Sequence, residues 1–432
     1  MSLVAPPLSL YVHMPWCVKK CPYCDFNSHG LRSEPPPYAD YIDHLLADLD
    51  ADRADFAAAL EGRAVISMFF GGGTPSLFAP ELIARLLDGV RERLPLADDA
   101  EVTLETNPGT VEHGRFDGYL AAGVNRISFG VQSFDDDKLK RLGRIHSAGE
   151  AEVAVKSAQD AGYANINLDL MYALPKQELD GALADVERAI ALGPTHISHY
   201  QLTLEPNTVF AANPPPLPDD DHAWAMQEAC EARLAEAGYG QYEISAYAQP
   251  GRRCAHNLNY WRFGDYLGIG AGAHGKLSDA GSSQIHRRWK TRGPRAYMGE
   301  PGGAGRIGGD HVVAPAPDRR RADGRFPRAH GAGAGDDRRG AGRRPRPRLA
   351  ARRRATPADH RAGPALPERR DRKLPRLTRS RRWHSPGKQH RLGQPGEITG
   401  FAWTSDKTGD ACRHRAARPS STRGGGRRVP SN

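Results

Sequence analysis

The feature that most narrows the fold is a repeated switch between short apolar runs and longer segments of helical period. Residues 8–13 (Leu-Ser-Leu-Tyr-Val-His) read as a strand. A helical segment follows over 38–60, with Tyr41, Ile42, Leu45, Leu46, Leu49 and Phe56 at near-helical spacing. Residues 64–70 are almost wholly apolar, as a strand buried on both faces should be. A helix is expected over 80–94, then strands at 102–105, 126–132, 165–171 and 196–204, each followed by a helix, at 112–122, 149–161, 178–192 and 221–237. Six strand–helix units in roughly 230 residues argue for a parallel sheet with helices outside, either a barrel or an open sheet.

In such folds function collects where strands finish and loops begin. The first strand runs into Cys17-Val-Lys-Lys-Cys21-Pro-Tyr-Cys24, a Cys-x3-Cys-x2-Cys run. Three thiolates on one loop can hold three corners of a cubane iron–sulfur cluster. Full ligation of a 4Fe–4S cluster takes four thiolates, so one iron is left open to a small molecule bearing an amine and a carboxylate. A zinc site is the alternative, but it usually needs four protein ligands in Cys-x2-Cys pairs, and no partner pair follows. The second strand runs into Gly71-Gly72-Gly73-Thr74-Pro75-Ser76, where the missing side chains let the backbone approach a ligand closely. Glu105 ends the third strand, Gln132 the fourth, and Asp169 lies in the fifth. Any one of these could be a capping or core hydrogen bond; polar groups recurring on successive strands point to a site.

The stretch Tyr11-Val-His-Met-Pro-Trp-Cys17, with Cys21-Pro-Tyr-Cys24-Asp-Phe-Asn-Ser-His29, resembles the signature of the radical S-adenosylmethionine (SAM) superfamily. Within it, the stretch looks like the HemW haem-chaperone branch, kin to oxygen-independent coproporphyrinogen III oxidase. The resemblance implies an α/β radical SAM partial (β/α)6 barrel over 1–215. It implies a 4Fe–4S cluster on Cys17, Cys21 and Cys24, with SAM at the open iron. Gly72, Gly73 and Thr74 would hold the SAM amino group. Glu105, Gln132, Arg144 and Asp169 match positions that contact SAM, with Tyr11 and Thr203 as further contacts. Arg144 suits the SAM carboxylate because a guanidinium grips carboxylates bidentately.

Two local features separate the branches. The porphyrinogen oxidases end the motif Cys-x-Cys, whereas Cys24-Asp25-Phe26 stands here and argues against decarboxylation. His256-Asn257-Leu-Asn-Tyr260-Trp261 matches a motif typical of the haem chaperones. His can ligate haem iron, and Tyr260 and Trp261 could lie on a porphyrin face; the plainer alternative is a buried His paired with Asn257. The implied function is a haem chaperone holding the cluster, SAM and haem for delivery to haem-accepting proteins. Coproporphyrinogen III oxidation, a zinc-bound module and a damaged gene product are the alternatives. The resemblance admits SAM cleavage without naming a substrate for the radical. The expected location is the cytoplasm, the expected state a monomer or weak dimer, with room for a transient membrane association and with no specific nucleic-acid partner.

Composition enters where the chain changes character. Residues 301–432 hold 33 of the 60 Lys+Arg and 11 of the 51 Asp+Glu, so the first 300 residues are near −13 and the rest near +22. The boundaries expected are 1–215 for the barrel, 216–298 for a short α+β extension carrying the His256 motif, and 299–432 for an unstructured Arg-rich tail. In that tail Leu, Ile, Val and Phe fall to about a tenth, too few to build a core, and no period is visible. A basic segment for nucleic acid or anionic lipid, plain disorder, and a frameshift near 299–320 in a GC-rich gene are the three readings, the last fitting best. Six cysteines with three in one loop are no disulfide framework and suit a reducing compartment. No apolar run approaches the roughly 20 residues that span a membrane, and the first residues lack a signal-peptide pattern.

Overall fold

A computed structural model describes residues 4–31, 34–110, 115–299 and 307–313, the last as a backbone strand. Six parallel strands form its centre: β1 (Leu8–Met14), β2 (Val65–Gly72), β3 (Leu96–Thr106), β4 (Arg126–Gln132), β5 (Ile166–Tyr172) and β6 (His196–Gln201), each paired with the next. Helices follow the strands in turn: α1 (Tyr38–Asp55), α2 (Pro80–Arg91), α3 (Arg115–Ala122), α4 (Ala148–Asp160), α5 (Leu179–Ala191) and α6 (Asp220–Glu236). This is the expected radical SAM partial barrel of six units. Every residue of β1 is buried, because one face meets the helices and the other lines the interior. Local chemistry agrees with the element starts. Ser147 and Glu150 close a capping box on α4, and Asp219 accepts the His222 N–H at the start of α6.

The segment 239–298 extends the same sheet at both edges. β7 (Ala246–Ala248) pairs antiparallel with β6. A short helix, α7 (Ala255–Trp261), then leads to β8 (Asp265–Ile269), which lies parallel to β1. β9 (His274–Asp279) and β10 (Gln284–Lys290) continue from β8 as antiparallel neighbours. Buried ion pairs fasten this edge to the barrel. Lys290 donates to Asp48 at 2.5 Å and Asp52 at 2.7 Å on α1, and Arg288 reaches Asp52 at 2.8 Å. The Tyr297 hydroxyl donates to Asp48 at 2.7 Å.

Some boundaries differ from the sequence expectation. The third strand begins at Leu96 rather than 102, because exposed Asp98 and Asp99 hide its first half from a hydrophobic pattern. The sixth stops at Gln201 rather than 204: the Leu202 N–H still bonds the Tyr172 carbonyl, after which pairing ends. β11 (Ile307–Val313), antiparallel to β10, falls where no strand was expected. Its sequence has β-branched residues only at its two ends, with Gly-Gly-Asp-His between, so period 2 is absent. The remaining tail expectations, at 300–306 and from 314 to 432, lie outside the described residues. Among the described residues no helix is long and apolar enough to cross a membrane.

Candidate functional site

The strand ends and the loops after them surround a cavity of about 320 Å³. Tyr11, Cys17, Cys21, Cys24, Gly72, Gly73, Thr74, Glu105, Gln132, Arg144, Asp169, Thr203 and His256, all singled out from the sequence, line it together. Residues up to 245 positions apart are therefore brought to one place by the parallel register.

The cysteine loop leaves β1 and is held by its own backbone. Trp16–Cys17 pairs with His29–Gly30, Cys24 N–H donates to the Cys21 carbonyl at 3.2 Å, and the Lys20 ammonium donates to the Phe26 carbonyl at 2.8 Å. All three thiols are half-buried and free of disulfides. Burial pushes Cys17 up to about 11 and raises Cys24, while hydrogen bonds from Thr74 and Ser28 pull Cys17 the other way. A cationic partner is what would make Cys17 and Cys24 thiolates at neutral pH. The Arg144 guanidinium supplies some of that charge, with Nη1 3.6 Å from Cys21 Sγ and Nη2 donating to the Gly130 carbonyl. Three thiols turned into one cavity beside a cation fit a cluster held at three corners. Among the described residues no three His, Cys, Asp or Glu side chains converge as a single-ion site would require.

The glycine run is packed against this loop. A Cβ on Gly73 would stand 2.5 Å from the Trp16 carbonyl oxygen, and one on Gly72 would stand 2.3 Å from the His13 ring, with φ +106° besides. Gly73 and Thr74 N–H groups bond the carbonyls of Met14 and Trp16 at 2.8 and 2.7 Å. The close approach expected of these glycines is thus made first to the chain itself, which leaves the Gly72 N–H turned to Glu105 Oε2 at 3.3 Å.

Glu105 is held largely protonated at neutral pH. Burial lifts it to about 8, the Asp169 charge adds to the lift, and Gly72 and Arg126 oppose it. Asp169 is raised mainly by burial, against hydrogen bonds that include Asn167 Nδ2 at 2.7 Å. Gln132 takes φ 72° after an irregularity in the β4–β5 register and accepts the Tyr200 hydroxyl at 2.7 Å. Tyr11 turns its hydroxyl to His13 Nδ1 at 3.0 Å, and exposed Thr203 bonds Glu205 at 3.0 Å.

His256 is buried and stacks on Phe69, with ring centroids 5.0 Å apart. Its Nδ1 meets Ser67 Oγ at 3.2 Å and its Nε2 meets the Tyr260 hydroxyl at 3.0 Å, so both ring nitrogens are engaged, and not by Asn257. Burial, with Arg126 nearby, lowers it to about 3. Iron ligation by His256 would require release of one of these bonds. Sequence reasoning missed Arg126, Ser128, Asn167 and Tyr200, which line the same cavity. For three of them the signal was alternation with residues already singled out: Arg126 and Ser128 precede Gln132 at even spacing in β4, and Asn167 stands two before Asp169 in β5, whereas Tyr200 in β6 had no such mark.

Six parallel strand–helix units, with a Cys-x3-Cys-x2-Cys loop leaving the first strand, define a radical SAM protein, and the Radical SAM superfamily model matches residues 11–189. The haem chaperone HemW of Escherichia coli (strain K12) is 59% identical over 293 residues, spanning 68% of this chain and 76% of that protein. The Haemophilus influenzae HemW is 57% identical over the same length and shares. A bovine mitochondrial protein, radical S-adenosyl methionine domain-containing protein 1, is 39% identical over 300 residues, 68% of this chain and 66% of that one. The chain belongs to the HemW family. Among solved structures, the coproporphyrinogen III oxidase HemN of Escherichia coli superposes with a TM-score of 0.61 at 26% identity, covering 72% of this chain and 73% of that one.

Proposed function

We propose that this protein is a haem chaperone that carries a 4Fe–4S cluster on Cys17, Cys21 and Cys24, binds SAM beside it, and holds haem for delivery to haem-accepting proteins. The observation that carries the reading is the three-thiol loop opening into the cavity of a HemW-family chain, with Phe26 where the porphyrinogen oxidases place a further cysteine. When bound, the cluster would supply one open iron and a single electron. The chain's own residues do the rest. Arg144, with Nη1 3.6 Å from Cys21 Sγ, brings a positive charge to the cysteine loop and is positioned to meet a carboxylate. Glu105 and Asp169 face the cavity as acceptors for amine or hydroxyl groups, and a cationic ligand would draw the Glu105 proton off. The Gly72–Gly73 turn fixes the distance between the cysteine loop and Glu105.

The likeness to HemN favours coproporphyrinogen III oxidation as the second reading. The two separate in one assay of the anaerobically reconstituted protein with dithionite, SAM and coproporphyrinogen III. The chaperone reading expects at most slow 5′-deoxyadenosine formation and no decarboxylation; sustained protoporphyrinogen production would reverse the order.

A further inference from the structure

Four cationic side chains are buried among the described residues: Arg126, Lys276, Arg288 and Lys290. Three are paired, Lys276 with Asp265 at 2.8 Å, Arg288 with Asp52 at 2.8 Å and Lys290 with Asp52 at 2.7 Å. Arg126, 2% exposed, makes no hydrogen bond or ion pair with the described residues, and its Nε is enclosed without an acceptor. Glu101 and Asp169 favour its charge without touching it, and each bonds other groups. Glu101 Oε1 takes Cys254 Sγ and the Ala255 and His256 N–H groups at the start of α7. Asp169 takes Asn167 and Ser128, and Glu105 takes Gly72. On the neighbouring strand Thr103, in register with Arg126, also buries a hydroxyl without a partner.

Buried N–H donors without an acceptor are costly to keep even where nearby carboxylates favour the charge, and a guanidinium is built to grip a carboxylate with two parallel hydrogen bonds. Arg126 lines the cavity at the start of β4. Gly130, whose carbonyl holds Arg144 beside Cys21, lies four residues further along. At about 3.3 Å per residue, the two backbone positions are about 13 Å apart. Arg126 therefore stands toward the end of the cavity away from the cysteines, close to Cys254 and α7.

We propose that Arg126 forms an anion subsite at this far end of the cavity and takes a carboxylate of the bound ligand. The inference rests on the reading of the cavity as the ligand site. The carboxylate that fits this end is a haem propionate, because the SAM carboxylate belongs beside Arg144 and the cysteine loop; binding of the two ligands tells them apart.

The test uses the full, cluster-loaded chain and its Arg126→Gln and Arg126→Lys variants. Affinities are measured for SAM and for 5′-methylthioadenosine, which lacks the amino-acid carboxylate, and for haem and its dimethyl ester. Melting temperature is followed with added propionate. Arg126→Gln should weaken haem at least tenfold, leave its dimethyl ester and SAM unchanged, and abolish stabilisation by propionate; Arg126→Lys should recover part of the haem binding. Loss with haem alone identifies a propionate, and loss with SAM instead would overturn that assignment. Equal losses for a ligand and its carboxylate-free counterpart, unchanged binding of both, or a Gln variant that melts well below the wild type would overturn the subsite, the last by marking Arg126 as a structural countercharge. Arg126-dependent stabilisation by propionate in a protein that binds neither SAM nor haem would keep the subsite and remove the functional reading instead.

Discussion

Cys17, Cys21 and Cys24 differ from the other described cysteines in surroundings, not only in spacing. Cys230 and Cys254 are fully buried, the first in the apolar core and the second against Glu101, whereas the loop thiols are half-open to the cavity. Replacing any loop cysteine with Ala should remove most bound iron and acid-labile sulfide, while Cys230→Ala should leave both intact; iron and sulfide analysis of anaerobic protein checks this. Glu105 makes a second prediction. Its carboxyl ionises near 4.5 in the unfolded chain and near 8 in the folded one. Between those values the folded state binds the extra proton, so this group's contribution to stability is full below about pH 4.5 and is lost as pH rises through 8. Glu105→Gln should flatten the fall in melting temperature of the ligand-free protein from pH 5 to 8, and an unaltered slope would show that Glu105 is not the group responsible.

Elements made of local pattern were legible in the sequence. β4 falls on the expected 126–132, and α4 and α5 lie within a residue of expectation at each end. The cysteine loop was equally legible, since its ligands are close in the chain. What could not be read depends on register. Arg126, Ser128 and Asn167 become a site only because β3, β4 and β5 align them, and a lone polar residue in a strand carries no such information. The joining of β8 to β1 was hidden for the same reason: parallel pairing 257 residues apart leaves no local mark. At this scale the buried ion pairs between α1 and β10 decide stability. Lys290→Ala would leave Asp48 and Asp52 without their shared ammonium, and should lower the unfolding free energy by about 3–5 kcal/mol in denaturant titration. The cap on α7 is weaker: Glu101→Ala should cost about 1–2 kcal/mol in the same measurement.

For the molecule as a whole, the sheet ends at β11 among the described residues, and β11 covers the edge of β10. A chain ending at Gly299 exposes that edge, and should aggregate more readily than one ending at Val313; light scattering of the two truncations compares them. The account as a whole turns on one claim, that a cluster-bearing barrel of this family carries haem rather than oxidising a porphyrinogen. The most direct measurement loads the reconstituted protein with haem, adds an apo haem protein, and follows the absorption spectrum of the acceptor. The account predicts that the acceptor's holo spectrum grows at the expense of the donor's, and that this transfer is lost when Cys17, Cys21 and Cys24 are replaced together. Failure of the wild-type protein to bind or hand over haem would contradict it.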